Sequence, residues 1–243
     1  MNAGRILEWE GCFNVRDLGG LRTQSGGTTI RGAVVRADCL DRLTPAGWSA
    51  LGTYGIRTVV DLRNDDELTS GLASRPPGVE TLQVPIDGLE DEELWGRIRA
   101  ERLDGSPLYY RPFLERKADR CAAAVAAIAN ARPGGVVFHC GLGRDRTGLI
   151  ALLVLALVGV DAGDIAADYE LSAEGVGRLE ASRGGRDQAE EIARILRGKG
   201  TSARAEILDL LSSVDVRARL REGGLGDGDV EALRGRLVSP MGA

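Results

Sequence analysis

One stretch constrains the fold more than any other: Val136-Val137-Phe138-His139-Cys140-Gly141-Leu142-Gly143-Arg144-Asp145-Arg146-Thr147-Gly148. Its first part is short, apolar and β-branched, which predicts a buried strand ending at Cys140. The apolar run 149–158 that follows predicts a buried helix. A strand, a tight glycine-containing loop and a helix start aim successive backbone N–H groups at one point, and the helix dipole adds positive potential there. Such a cradle suits an anion, above all a phosphate. The N–H groups of Gly141, Leu142, Gly143, Arg144, Asp145 and Arg146 are expected to line it, and the Arg146 guanidinium can grip two oxygens in a bidentate fork. Cys140 stands at the foot of the loop in the same field, which favours the thiolate. A thiolate beneath a bound phosphate is a nucleophile aimed at phosphorus, so the expected chemistry runs through a cysteinyl-phosphate. Thr147 is placed to hydrogen-bond the sulfur and help it leave. His139, the only histidine, is expected to hydrogen-bond the loop.

Composition narrows the alternatives. The net charge of −5 provides no basic field for nucleic acid or an anionic membrane surface, so neither is an expected partner. Cysteines at 12, 39, 121 and 140 form no Cys-x-x-Cys pair and have one histidine for company, which argues against a zinc site. No metal or other cofactor is expected. The apolar run around 149–160 is too short to cross a bilayer, so no integral membrane segment is expected. No charged-then-apolar leader is visible at the N-terminus, and a reactive thiol suits a reducing cytoplasm. Nothing in the sequence sets the oligomeric state.

Along the chain, strands are predicted at 33–36, 58–62 and 81–85, in addition to the one before Cys140. The segment 11–20 reads as turn-rich. Thr44-Pro45 predicts a helix start, with Thr as the cap and Pro in the first turn. Residues 90–103 predict a charged, amphipathic, exposed helix, and 107–131 a single long helix stopped by Arg132-Pro133-Gly134-Gly135. Further helices are predicted at 161–172, 189–197, 202–211, 214–222 and 227–237, with a loose Gly-rich link at 175–186. Strands alternating with helices predict an α/β fold, a central mostly parallel sheet flanked by helices. A single domain 1–243 is expected, with an α/β core over about 1–175 and a helical extension over about 187–243.

The run His139-Cys140-(five residues)-Arg146-Thr147 resembles the signature of the cysteine-dependent protein tyrosine phosphatase superfamily. Its form here is similar to a bacterial group whose loop reads His-Cys-x-x-Gly-Lys-Asp-Arg-Thr-Gly. Phe13-Asn14-Val15-Arg16-Asp17-Leu18-Gly19-Gly20 resembles the opening Phe-Arg-Asp-Leu-Gly-Gly motif of the same group. Arg31–Arg36 and Thr58–Arg63 sit where that group has a Gly-x-hydrophobic-Arg-Ser strand and an Asp-Leu-Arg strand end, and Asp168-Tyr169 with Ser172 match its Asp-Tyr-x-x-Ser. The resemblance runs in order along nearly the whole chain. It departs at Ala37-Asp38, where the group has Ser and a small residue, and at Arg144, where it has Lys. Only Lys117 and Lys199 are lysines here, so this Arg partly reflects a chain-wide bias.

The resemblance implies a phosphomonoester hydrolase, foremost a protein-tyrosine phosphatase acting on phosphotyrosyl proteins, with phosphoinositides or a broad dual specificity as the alternative. A phosphate-binding pseudoenzyme and a rhodanese-like sulfurtransferase are the remaining rivals. It places a supporting role on Arg16. It also puts the proton donor at Asp87, at the end of the 81–85 strand. Asp145, inside the loop, is the other candidate for that role.

Overall fold

The computed structural model describes residues 4–68, 75–186 and 188–239. Strands β1 (Arg16–Asp17), β3 (Val34–Ala37), β4 (Ile56–Asp61), β5 (Glu80–Gln83) and β6 (Gly135–His139) form a sheet in the order β1-β3-β6-β4-β5. The short β1 pairs antiparallel at one edge; all other pairings are parallel. This is the predicted α/β arrangement. The central strand β6 is flanked on both sides, with Phe138 opposite Arg36 of β3 and Val60 of β4.

Parallel strands covered on both faces read as continuous apolar runs, and their side chains still alternate. Val34, Val60, Val136 and Phe138 enter the larger core. Their neighbours Val35, Ala37, Val59 and Val137 enter a smaller one closed by Trp48 and Leu51 of α1 (Pro45–Thr53). Helix α1 starts as predicted: the Thr44 hydroxyl accepts from the Gly47 N–H. The larger core is built around α5 (Arg146–Leu157), which is apolar on every side and accordingly buried on nearly every side.

The order continues with α2 (Glu92–Ala100), α3 (Tyr110–Arg116), α4 (Ala118–Ala129), α6 (Ala162–Glu170), α7 (Ser172–Ser182), α8 (Ala189–Gly198), α9 (Ala203–Ser213), α10 (Val216–Glu222) and α11 (Asp227–Leu237). Ile207, Leu210, Leu220, Leu233 and Leu237 from the last three join the larger core. Strand β7 (Val238–Ser239) then pairs with β2 (Thr28–Thr29), joining the C-terminal helices to the opening segment. Among the described residues no helix is long and apolar enough to cross a membrane.

Two predicted elements are corrected. The long helix over 107–131 is a 3-10 turn (Pro107–Tyr109) followed by α3 and α4, broken at Lys117 with φ −126° and ψ 31°. The break turns α4 onto α10 and α11 and lets the buried Lys117 amine reach Glu90 and Asp91 at 3.3 and 3.5 Å. Helix α2 is the predicted amphipathic surface helix, burying only Leu94 and Ile98. The link expected to be loose at 175–186 is helical through Ser182. There Gly175 serves close packing rather than flexibility, because a Cβ would lie 2.8 Å from Asn14.

Candidate active site

Parallel strands bring their C-terminal ends to one edge of the sheet, the usual place for ligand sites in such folds. At that edge β6 delivers Cys140, and the loop after it leads into α5. The Cys140 sulfur is buried and accepts a hydrogen bond from the Thr147 hydroxyl at 3.1 Å.

The loop is held from behind, carbonyl by carbonyl. His139 Nδ1 donates to the Cys140 carbonyl at 3.1 Å, the Cys39 N–H to that of Gly141 at 3.1 Å, and Asn14 Nδ2 to that of Leu142 at 3.0 Å. Arg36 Nη2 donates to the Gly143 carbonyl at 2.8 Å. The Tyr110 hydroxyl lies 3.5 Å from the Arg144 carbonyl and 3.0 Å from that of Asp145. In a trans peptide the carbonyl and the following N–H point in opposite directions. Holding each carbonyl outward therefore turns the N–H groups of residues 141–146 inward. Gly143 makes the turn at φ +68°, where a Cβ would lie 2.6 Å from the Ala37 carbonyl oxygen, so only glycine fits.

Burial holds the His139 imidazole down to about 4 despite Asp61 beside it, so the ring is neutral at pH 7 and holds the loop rather than charging it. Arg16 does not reach the loop directly. It donates to Asn14 Oδ1 at 2.7 Å, and Asn14 holds Leu142. Behind the loop, Arg5, Arg16 and Arg36 converge on Asp168, all of them buried, with Arg16 and Arg36 also reaching the Ser172 hydroxyl. Burial alone would raise the Asp168 carboxyl, but Arg16, Arg36 and Arg5 hold it well below the usual carboxylate range. Its stabilising contribution is present above that range and is lost as pH falls through the depressed folded value. Replacing it by Asn (Asp168→Asn) leaves buried guanidiniums without their counter-charge. The expected cost is about 3–5 kcal/mol at neutral pH, read as a lower denaturant midpoint. An unchanged midpoint would show that the cluster does not stabilise the fold.

At the front, Arg146 is gripped by two carboxylates. Glu67 takes Nη1 and Nη2, with Oε2 2.7 Å from Nη2, and Asp87 Oδ2 lies 2.9 Å from Nη1. Asn64 Nδ2 donates to the same Asp87 oxygen at 2.8 Å, and Trp95 Nε1 holds the Asp87 carbonyl at 3.1 Å. Burial pushes the Asp87 carboxyl above its ordinary value against the pull of Arg146 and Asn64, and the charges of Glu67 and Asp145 push the same way. That is the direction needed by a group that carries a proton.

The Arg144 side chain is buried and bonds its neighbour Asp145, Nε to Oδ1 at 3.1 Å and Nη2 to Oδ2 at 3.3 Å. It lines an apolar cavity of about 520 Å³ with Tyr169, Val176, Ile192 and Leu196. The structure thus brings together Cys140, Arg146, Thr147 and Asp87, keeps His139 and Arg16 as supports, and turns the Arg144 side chain aside.

Glu67 was not legible in the sequence as part of this site. Its only signal, Asn64-Asp65-Asp66-Glu67 after a strand, has the spacing of a capping box, and Glu67 does cap the 3-10 turn Asp65–Glu67 by accepting from the Asn64 N–H at 3.0 Å. Asn14 and Arg36 lie in segments that resemble the family's motifs, but nothing local marked them, or Tyr110, as supports of the loop.

Residues 7–239 match the tyrosine phosphatase family. A tyrosine-protein phosphatase of Nostoc commune is 33% identical over 143 residues, 58% of this chain and 48% of that protein. The triple specificity protein phosphatase PtpB of Mycobacterium tuberculosis is 30% identical over 206 residues, 72% of each chain. A putative tyrosine-protein phosphatase of Cupriavidus necator is 32% identical over 171 residues, 67% of this chain and 61% of that one. The match thus spans about half the length of the Nostoc protein.

Proposed function

Because the chain belongs to the tyrosine phosphatase family, we propose that it is a phosphomonoester hydrolase of the bacterial His-Cys-x5-Arg-Thr-Gly group, acting first on phosphotyrosyl proteins. The observation that carries this reading is the cradle itself: carbonyls of residues 140–145 held outward over the Cys140 sulfur, with Arg146 at the rim. In the first step the Cys140 sulfur forms a bond to phosphorus as the ester oxygen leaves, and that oxygen takes a proton from Asp87. The inward N–H groups and Arg146 stabilise the equatorial oxygens, where charge develops. In the second step water attacks the cysteinyl-phosphate, gives its proton to Asp87 and releases phosphate. Thr147, already bonded to the sulfur at 3.1 Å, stabilises the departing thiolate.

The second reading concerns substrate. The apolar cavity beside Arg144 and the triple specificity in one relative's name favour phosphate esters beyond phosphotyrosine, phosphoinositides among them. Release of inorganic phosphate from a phosphotyrosyl peptide, a phosphoseryl peptide and a phosphoinositide separates the two. Tyrosine-selective release is expected, and equal or greater release from the lipid would move the assignment. A chelator is expected to leave every rate unchanged; loss of turnover restored by a divalent ion would replace the thiolate mechanism with a metal-dependent one.

A further inference from the structure

A guanidinium presents its donors along edges: Nη1 with Nη2 at the tip, and Nε with the second Nη2 proton along one side. In Arg146 the tip edge is taken by Glu67, and the outer Nη1 proton faces Asp87. The remaining bidentate edge is Nε with Nη2. Nη2, the corner which that edge shares with the tip, is the Arg146 atom nearest to where a Cβ on Gly141 would stand, at 3.9 Å, so this corner lies beside the loop. Glu67 is itself fixed through Oε1, the oxygen that meets Arg146 Nη1, which also accepts the Asn64 N–H at 3.0 Å. Asn64 in turn bonds Asp87, so one short turn after β4 ties the cation of the site to its proton donor.

We infer that Glu67 is a positioning residue for phosphoryl transfer: its carboxylate clamps the tip of Arg146 so that the Nε/Nη2 edge faces the phosphate cradle. The inference rests on the hydrolase reading above and deepens it. Without the clamp, Arg146 still carries its charge, but its fork is free to swing. Only the interaction that requires alignment with the equatorial oxygens of the transition state is then lost. Glu67 has a second effect through charge. Asp87 is faced by Arg146, Glu67, Asp145 and Tyr109, with the Lys117 and Arg120 tips next to Gly88. In that set the Glu67 charge helps Asp87 retain its proton.

Two substitutions separate geometry from charge. Glu67→Gln removes the charge and keeps the size, while Glu67→Asp keeps the charge on a side chain one methylene too short to reach both Nη atoms from this position. Each is compared with wild type in kcat and KM on a phenyl phosphate ester across pH, and in binding of inorganic phosphate and of orthovanadate, which mimics the five-coordinate transition state. Both variants are expected to lose about 10–100-fold in kcat with little rise in KM. The ratio of vanadate to phosphate affinity is expected to fall by a similar factor. In Glu67→Gln alone, the high-pH limb should move to lower pH, because Asp87 ionises more easily once the neighbouring charge is gone. Thermal midpoints near wild type show that folding is not the cause. A higher kcat/KM in Glu67→Gln would overturn the proposal by making Glu67 an inhibitory plug. So would an unchanged vanadate-to-phosphate ratio in both variants. If the wild-type protein shows no turnover while the ratio still depends on Glu67, the hydrolase reading fails and the positioning stands.

Discussion

Cys140→Ser is expected to abolish turnover and leave the anion site standing. A serine hydroxyl at this position stays protonated and is a poor nucleophile toward phosphorus, so the loss in kcat should be on the order of 10⁴–10⁶. The binding groups do not depend on the sulfur. The loop carbonyls are held outward by His139, Cys39, Asn14, Arg36 and Tyr110, and Arg146 is clamped by Glu67. Inorganic phosphate should therefore still bind to the serine variant, within about tenfold of wild type, when measured by calorimetry. The replacement is close to isosteric, so the Thr147 hydroxyl retains an acceptor at the position where it now meets sulfur at 3.1 Å. Hydrolysis of an aryl phosphate by Cys140→Ser near the wild-type rate would end the cysteinyl-phosphate mechanism. Loss of phosphate binding together with turnover would mean that the sulfur, and not the backbone, organises the cradle.

Asp87→Asn should give an effect whose size depends on the leaving group. A phosphotyrosyl or alkyl oxygen departs poorly without a proton, and its turnover is expected to fall about 10²–10⁴-fold. An activated phenol such as p-nitrophenol needs little protonation and should lose far less. The pH profile supplies an independent check. Burial raises the Asp87 carboxyl, with Arg146 and Asn64 opposing it, so the proton is retained to higher pH than on an ordinary aspartate. Activity that needs this proton is full below the raised value and falls as pH rises through it, a limb that should flatten in the Asn variant. Asp145, bonded to Arg144 within the loop, is the control. If Asp145→Asn shows the leaving-group dependence and Asp87→Asn does not, the donor lies in the loop, and Asp87 is left as a partner of Arg146.

The strand, loop and helix start around Cys140 were legible because their geometry is local. A β-branched run, a glycine able to turn at positive φ and an apolar helix fix the relative positions of Cys140, Arg146 and Thr147 within a few residues of one another. The Thr44-Pro45 helix start was legible for the same reason, since a cap and its acceptor lie three residues apart. The alternation of strands and helices was enough to indicate a mostly parallel sheet.

What the sequence could not show depends on contacts made across the sheet. Gly175 looks like a flexible link until Asn14, far away in sequence, packs 2.8 Å from where its Cβ would be. Lys117 looks like any residue of a long helix until α4 must turn to meet α10 and α11. Asp168 and its arginines come from opposite ends of the α/β core. Glu67 and Arg146 are 79 residues apart and meet only because β4 and β6 are parallel neighbours that end at one edge. Local spacing therefore determined which thiol stands at the foot of the loop and which cation follows it. The tertiary structure decided which carboxylates hold that cation and which of them burial raises above its ordinary value, because orientation and desolvation are set by the neighbours that folding brings together.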